Sequence, residues 1–85
     1  MTVKFTKAAE KDYKKLPLGI QKKADKQFLV LTDNYRHPSL RTRKMGGQGV
    51  FEGRVDIHYR FSFQVIGEEI YILIIGPHDT GLGKK

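Results

Sequence analysis

Arg54 and Arg60 flank a short stretch that also holds His58, and His78 follows after a long apolar run. These side chains suit phosphate chemistry. A guanidinium keeps its charge at any cellular pH, and its fork of donors matches phosphate oxygens. An imidazole titrates near neutrality and can take or give a proton. Two of each over one patch would suit cleavage of a phosphodiester by a neighbouring 2′-hydroxyl. One group would remove the hydroxyl proton and another would protonate the leaving oxygen. The arginines would stabilise the charged transition state. The plainer reading is that Asp56 or Glu52 neutralises the arginines on a solvated face. A single surface histidine is more often inert than catalytic, so the weight rests on clustering. Metal binding by His58, His78 and Asp79 has no ligand-spacing motif behind it. The chain has no Cys, which excludes a thiolate nucleophile, a disulfide frame and a Cys-based zinc site. No cofactor or metal is expected.

A second basic set lies upstream. Arg36, His37, Arg41, Arg43 and Lys44 crowd the stretch before the strands, and Lys22, Lys23 and Lys26 share one face of a helical segment. Together they form a candidate footprint for RNA. The competing reading is a solvated, soluble surface, which a charge run alone does not beat. His37 precedes Pro38 and reads as a loop residue.

Whether the arginines and histidines meet depends on the strands that carry them. In 51–66 every odd position except Gly53 is apolar: Phe51, Val55, Ile57, Tyr59, Phe61, Phe63 and Val65. The even positions are polar, as in a sheet with one buried face. A straight strand of that length would span roughly 53 Å. The radius of gyration for a domain of this size is only about 12 Å. The segment must therefore fold back, around Asp56-Ile57-His58. Paired residues in a hairpin share a face, so only an odd loop keeps the apolar set together. A loop of Asp56 to His58 pairs Arg54 with Arg60 and Val55 with Tyr59. Ile66-Gly67-Glu68-Glu69 is the next turn. Residues 70–75 are apolar on both faces, which predicts a central, well-covered strand. Counting pairs back through that turn brings His78 near Tyr59 and His58.

Upstream, Thr6 is a candidate N-cap for a helix from Lys7 to about Leu16, with Ala9, Tyr13 and Leu16 on one face. Pro17 suits the first turn of a second helix. That helix carries Ile20, Ala24, Phe28 and Leu31 on its apolar face and stops at Asp33-Asn34. Val3 to Thr6 reads as a short edge strand. The expected fold class is α+β, with two N-terminal helices packed on one face of a small, mostly antiparallel sheet. The 85 residues allow one domain, 1–85. With 39% hydrophobic and 29% charged residues the chain is neither a disordered tail nor a membrane protein. Its longest apolar run, Ile70 to Ile75, falls far short of the ~20 residues of a spanning helix. The first residues hold no apolar signal-peptide core, so a cytoplasmic location is expected. The net charge of +7 points to a polyanionic or acidic partner.

The ordered set Lys15-Leu16-Pro17, Arg54-Val55, Tyr59-Arg60 and Ile75-Gly76-Pro77-His78 resembles the RelE/ParE superfamily of toxin–antitoxin toxins, over nearly the whole chain. No one of these motifs is specific; the resemblance rests on the ordered set. The resemblance implies a curved antiparallel sheet with helices on one side and an active face on the other. It implies a ribosome-dependent mRNA endonuclease that cuts by 2′-hydroxyl attack without a metal, neutralised by a cognate antitoxin. By position, Arg60 resembles the family's phosphate-binding arginine, and Arg54 falls where a basic strand residue stabilises charge. His78 sits where members carry Arg or His, and Lys44 resembles the basic residue before the sheet. The family's C-terminal catalytic Tyr has no counterpart after His78, which leaves acid–base work to His58 or His78. Two other functions fit the same sequence. A ParE-like gyrase inhibitor would leave mRNA intact, and a non-catalytic basic RNA- or ribosome-binding module would bind RNA salt-sensitively without cutting it.

Overall fold

In a computed structural model, which describes residues 1–46 and 49–77, the first strand leads straight into a capped helix. Strand β1 is Thr2–Phe5 and helix α1 is Lys7–Lys15. The Thr6 hydroxyl accepts the Ala9 N–H at 3.1 Å, satisfying one of the donors that a helix start leaves unpaired. The same hydroxyl reaches the carbonyls of Ile72 and Leu73 at 3.0 and 3.1 Å. Helix α2 is Leu18–Asp33 and ends where its sequence predicts. Pro17 is its N-cap, just outside the first turn, with its carbonyl taking the Ile20 and Gln21 N–H groups at 2.9 Å. The expected inner face is confirmed: Ala24, Phe28 and Leu31 are buried and Ile20 packs beside them.

After α2 a 3-10 turn, Pro38–Leu40, plugs Leu40 into the core. Strands β2 (Arg43–Lys44), β3 (Val50–Arg54), β4 (Tyr59–Ile66) and β5 (Glu69–Pro77) follow. The sheet order is β1-β5-β4-β3-β2. Only β1 is parallel to its neighbour; the other pairings are antiparallel. Both helices cover the face formed by the odd positions of β3 and β4. There the Phe28 ring meets Phe61 edge-on at 5.1 Å, and Phe61, Phe63, Leu31, Leu40, Ile70 and Ile72 are fully buried.

The hairpin register is the odd one that the apolar alternation requires. Arg54 stands opposite Arg60, and the Val55 N–H reaches the Tyr59 carbonyl at 2.9 Å. Ile57 leaves the apolar set: at the bend it is 70% exposed, because no strand lies beneath the loop tip. The β4–β5 turn pairs Ile66 with Glu69 across Gly67-Glu68, and Gly67 takes φ 61°, which only glycine adopts without strain.

Strand β5 holds one irregularity. Ser62 pairs with Ile74 but Phe63 pairs with Ile72, so Leu73 is an extra residue, bulged out of the ladder. The bulge switches the strand's faces. Ile70, Ile72 and Ile75 point into the core, while Ile74 is 43% exposed. Thr6 binds the carbonyls at the bulge, so the cap of α1 and the kink of β5 are a single joint.

Candidate active site

The β3–β4 ladder puts Glu52 opposite Ser62 and Arg54 opposite Arg60, on the sheet face away from the helices. That face is not the open polar surface that alternation predicts. Glu52 is 3% exposed and Ser62 is buried as well. Arg41, Thr42 and Arg43 form a second wall here, and β2 pairs Arg43 with Glu52. Between the walls lies a cleft of about 480 Å³ lined by Arg41, Thr42, Arg43, Glu52, Gly53, Arg54 and Arg60.

The walls are fixed by local chemistry. The His37 ring nitrogen Nδ1 accepts the Ser39 N–H at 3.1 Å and caps the 3-10 turn, in keeping with a loop role. Arg41 closes that turn in the left-handed region, φ 50° and ψ 46°, a conformation that costs a non-glycine residue on the order of 1 kcal/mol. From α2, the Gln27 amide donates to the Arg54 carbonyl at 2.7 Å and to the Ser39 carbonyl at 3.1 Å. One helix side chain therefore holds both walls.

Four guanidinium groups share this cleft with one carboxylate. Glu52 Oε1 takes Arg60 Nη1 at 3.2 Å and Arg43 Nη2 at 3.3 Å. The Arg43 side chain is 64% exposed, so its pair is screened by water; that of Arg60 is only 18% exposed. Glu52 Oε2 and Arg60 Nε are buried without a hydrogen-bond partner. Each such atom costs about 1–3 kcal/mol of desolvation. Of the two expected neutralisers, Glu52 serves Arg60. Asp56 does not: it faces the bend. Among the described residues, Arg41 and Arg54 make no ion pair.

Asp56 organises the loop instead. Its Oδ1 accepts the His58 and Tyr59 N–H groups at 2.8 and 2.9 Å, and its Oδ2 takes Lys23 Nζ at 3.3 Å. Burial pushes this carboxyl up, but the two backbone donors and Lys23 outweigh it and hold it below the ordinary Asp value. The His58 side chain is exposed at the loop and does not line the cleft. Lys23 is committed to Asp56; Lys22 and Lys26 are exposed on α2, and Lys44 is exposed on β2 outside the lining. On the far side, Arg60 pairs with Gly76 and Tyr59 with Pro77. His78 and Asp79, expected to follow there, lie outside the described residues. The structure therefore joins Arg54, Arg60, Arg43 and Arg41, and leaves His58 and the α2 lysines apart.

No family model and no curated protein matches the chain by sequence. Solved structures do match. A YoeB/ParE toxin from Agrobacterium tumefaciens superposes with a TM-score of 0.79 at 15% identity, covering 93% of this chain and 100% of that one. A chain of the intact E. coli RelBE toxin–antitoxin complex gives 0.77 at 17%, covering 92% and 96%. A chain of the archaeal RelE–RelB complex from Pyrococcus horikoshii gives 0.73 at 21%, covering 94% and 97%. The chain has the RelE fold. The likeness extends over its helices and sheet together, so the expected α+β architecture stands.

Within this RelE fold the cleft occupies the face opposite the helices. Its donor set is suited to an anion. Arg54 and Arg41, without an ion pair among the described residues, offer their forks, and Arg60 offers the donors that Glu52 does not use. Among the described residues no imidazole lines it, so proton transfer would have to come from a group beyond the described lining. A larger apolar depression of about 730 Å³, between β1 and the helices, is lined mainly by Val3, Phe5, Tyr13, Phe28 and Leu29 and holds no arginine.

Proposed function

We propose that this chain is the cytoplasmic toxin of a toxin–antitoxin pair, a single-domain endoribonuclease that cuts mRNA on the ribosome and is held inactive by a cognate antitoxin. The observation that carries this reading is the Arg54–Arg60 pair, set directly opposite each other in an arginine-lined cleft. Like charges placed so are unfavourable by a few tenths to ~1 kcal/mol, and an anion between them reverses the sign. The fold supports the reading too. Structures that share it are described as toxins or as toxin–antitoxin complexes, including one of YoeB with YefM from Staphylococcus aureus.

In this mechanism the scissile phosphate sits between Arg54 and Arg60. The 2′-oxygen attacks phosphorus, a cyclic phosphate forms, and the 5′-oxygen leaves with a proton. Arg54 and Arg60 offset the negative charge that builds on the phosphoryl oxygens. His78, which follows Pro77 at the Arg60 end of β5, is the candidate proton donor, and His58 the second candidate for proton transfer. Arg41, Arg43 and Lys44, with Lys22 and Lys26 further out, hold the RNA backbone. No metal takes part in any step of this scheme.

The test is induction in cells followed by primer extension on mRNA. The reading expects discrete cuts that need translating ribosomes and that vanish in Arg60→Ala. Intact mRNA together with loss of DNA supercoiling would replace it with gyrase inhibition.

A further inference from the structure

Glu52 is the one acidic side chain among the described residues of a cleft of arginines, and anion binding alone gives no reason for it. A carboxylate there repels phosphate and sacrifices apolar burial at mid-strand. What it does is visible in its contacts. Its Oε1 takes one amino group of Arg60, and Arg60 spends only that Nη1 on it. A two-pronged pairing would have used both carboxylate oxygens and two donors of the guanidinium. Here Oε2 and Arg60 Nε are both left without a partner. Arg60 is thus tethered at one corner, with donors to spare, opposite Arg54, which makes no ion pair among the described residues. Of the two arginines on Glu52, Arg60 is the less exposed, so its tether is the less screened.

We propose that Glu52 is the positioning residue of the cleft: it holds the Arg60 guanidinium in place before a phosphate arrives, and by offsetting that guanidinium's charge it weakens the empty cleft's grip on a polyanion. The proposal rests on the nuclease reading for its catalytic part, since it assigns Arg60 to the transition state. Two effects of opposite sign follow. Releasing Arg60 from the Glu52 charge that offsets it strengthens its ground-state grip on RNA. Freeing the Arg60 side chain weakens the transition state, because its ordering must then occur during the reaction.

The experiment uses the full chain and a fluorescein-labelled 2′-O-methyl hexaribonucleotide, which has no nucleophilic 2′-hydroxyl. Anisotropy reads its affinity, and mRNA cleavage on purified ribosomes reads kcat and KM. For Glu52→Gln the expected result is a Kd about 2–5-fold tighter and a kcat about 10–100-fold lower with KM not raised. In an Arg60→Ala background, which is expected not to cut, the same substitution should change Kd less than about twofold, because its effect runs through Arg60. Glu52→Asp keeps the charge but shortens the reach, and should bind the probe like the parent while cutting slowly.

Cutting at the parent rate by Glu52→Asp would overturn positioning and leave a charge effect. So would a Glu52→Gln effect on Kd that is unchanged without Arg60, or losses of binding and cutting that track the folded fraction in a thermal melt. Should the parent chain cut no RNA, the nuclease reading fails by itself. The Kd cycle with Arg60→Ala then decides the tether: non-additivity sustains it and additivity ends it.

Discussion

The ring of Phe61 lies over Gly53 across the β3–β4 ladder, so closely that a Cβ on Gly53 would stand 2.6 Å from Cζ. This contact is the reason the apolar alternation breaks at that position. It also fixes the backbone between Glu52 and Arg54. Gly53→Ala should therefore destabilise the fold by about 1–3 kcal/mol, since the buried ring has no free space to move into. Urea unfolding measures it. The double variant Gly53→Ala with Phe61→Leu should lose less than the sum of the two singles, because the clash is gone.

Arg54 gives the cleaner test of anion binding, because among the described residues it bears no ion pair whose loss would disturb folding. Arg54→Ala should leave stability within about 0.5 kcal/mol of the parent. RNA affinity should fall for all sequences alike, and the log–log salt slope should become shallower by about 0.7. Cleavage should drop about 10²–10³-fold if the guanidinium faces the transition state. A titration of a methylated oligonucleotide at several salt concentrations, beside a cleavage assay, measures both.

Much of this was legible in the chain because the rules involved are local. The period-2 pattern and the parity of one loop set Arg54 opposite Arg60, and helix spacing located Ala24, Phe28 and Leu31. The bulge at Leu73 was not legible. Residues 70–75 are all apolar, so a slip of one position changes no residue type, and the exposed Ile74 looks the same as the buried Ile75. The burial of Glu52 was missed for a related reason. Alternation reports which face a residue takes but not what covers that face, and the cover here is the Arg41–Arg43 segment, whose path depends on a left-handed Arg41. His58 belongs to the polar set by type, yet the Asp56 carboxylate fixes the bend through His58's backbone and leaves its ring outside the cleft.

Asp56 gives the fold an acid-sensitive joint. Its folded pKa lies below the ordinary Asp value, so its contribution to stability is present above the unfolded pKa and is lost as pH falls through the folded one. Stability should therefore be flat from neutrality to about pH 5 as far as this residue is concerned and decline below pH 4. Asp56→Asn weakens the charge-assisted bonds to the His58 and Tyr59 N–H groups and removes the pair with Lys23. It should cost about 1–2 kcal/mol at pH 7, and the cost should shrink as pH falls through the folded pKa. Chemical denaturation of both proteins across that range checks the sign.

The Thr6 hydroxyl joins the start of α1 to the bulge in β5, and its removal should be felt at both ends. Thr6→Val keeps the shape but leaves the Ala9 N–H without a cap and removes the hydroxyl donor from the Ile72 and Leu73 carbonyls. Loss of a cap costs about 0.5–2 kcal/mol, and partial loss of a second hydrogen bond adds about 0.5–1.5 kcal/mol. Thr6→Ser retains both partners and should stay within about 0.5 kcal/mol of the parent. Hydrogen exchange separates this from a general loosening. In Thr6→Val, protection should fall first at Ala9 and at the amides around the bulge. The β3–β4 hairpin should be protected as before, because no Thr6 bond reaches it. If the hairpin amides lose protection equally, the joint is not local and the bulge is held by the core alone.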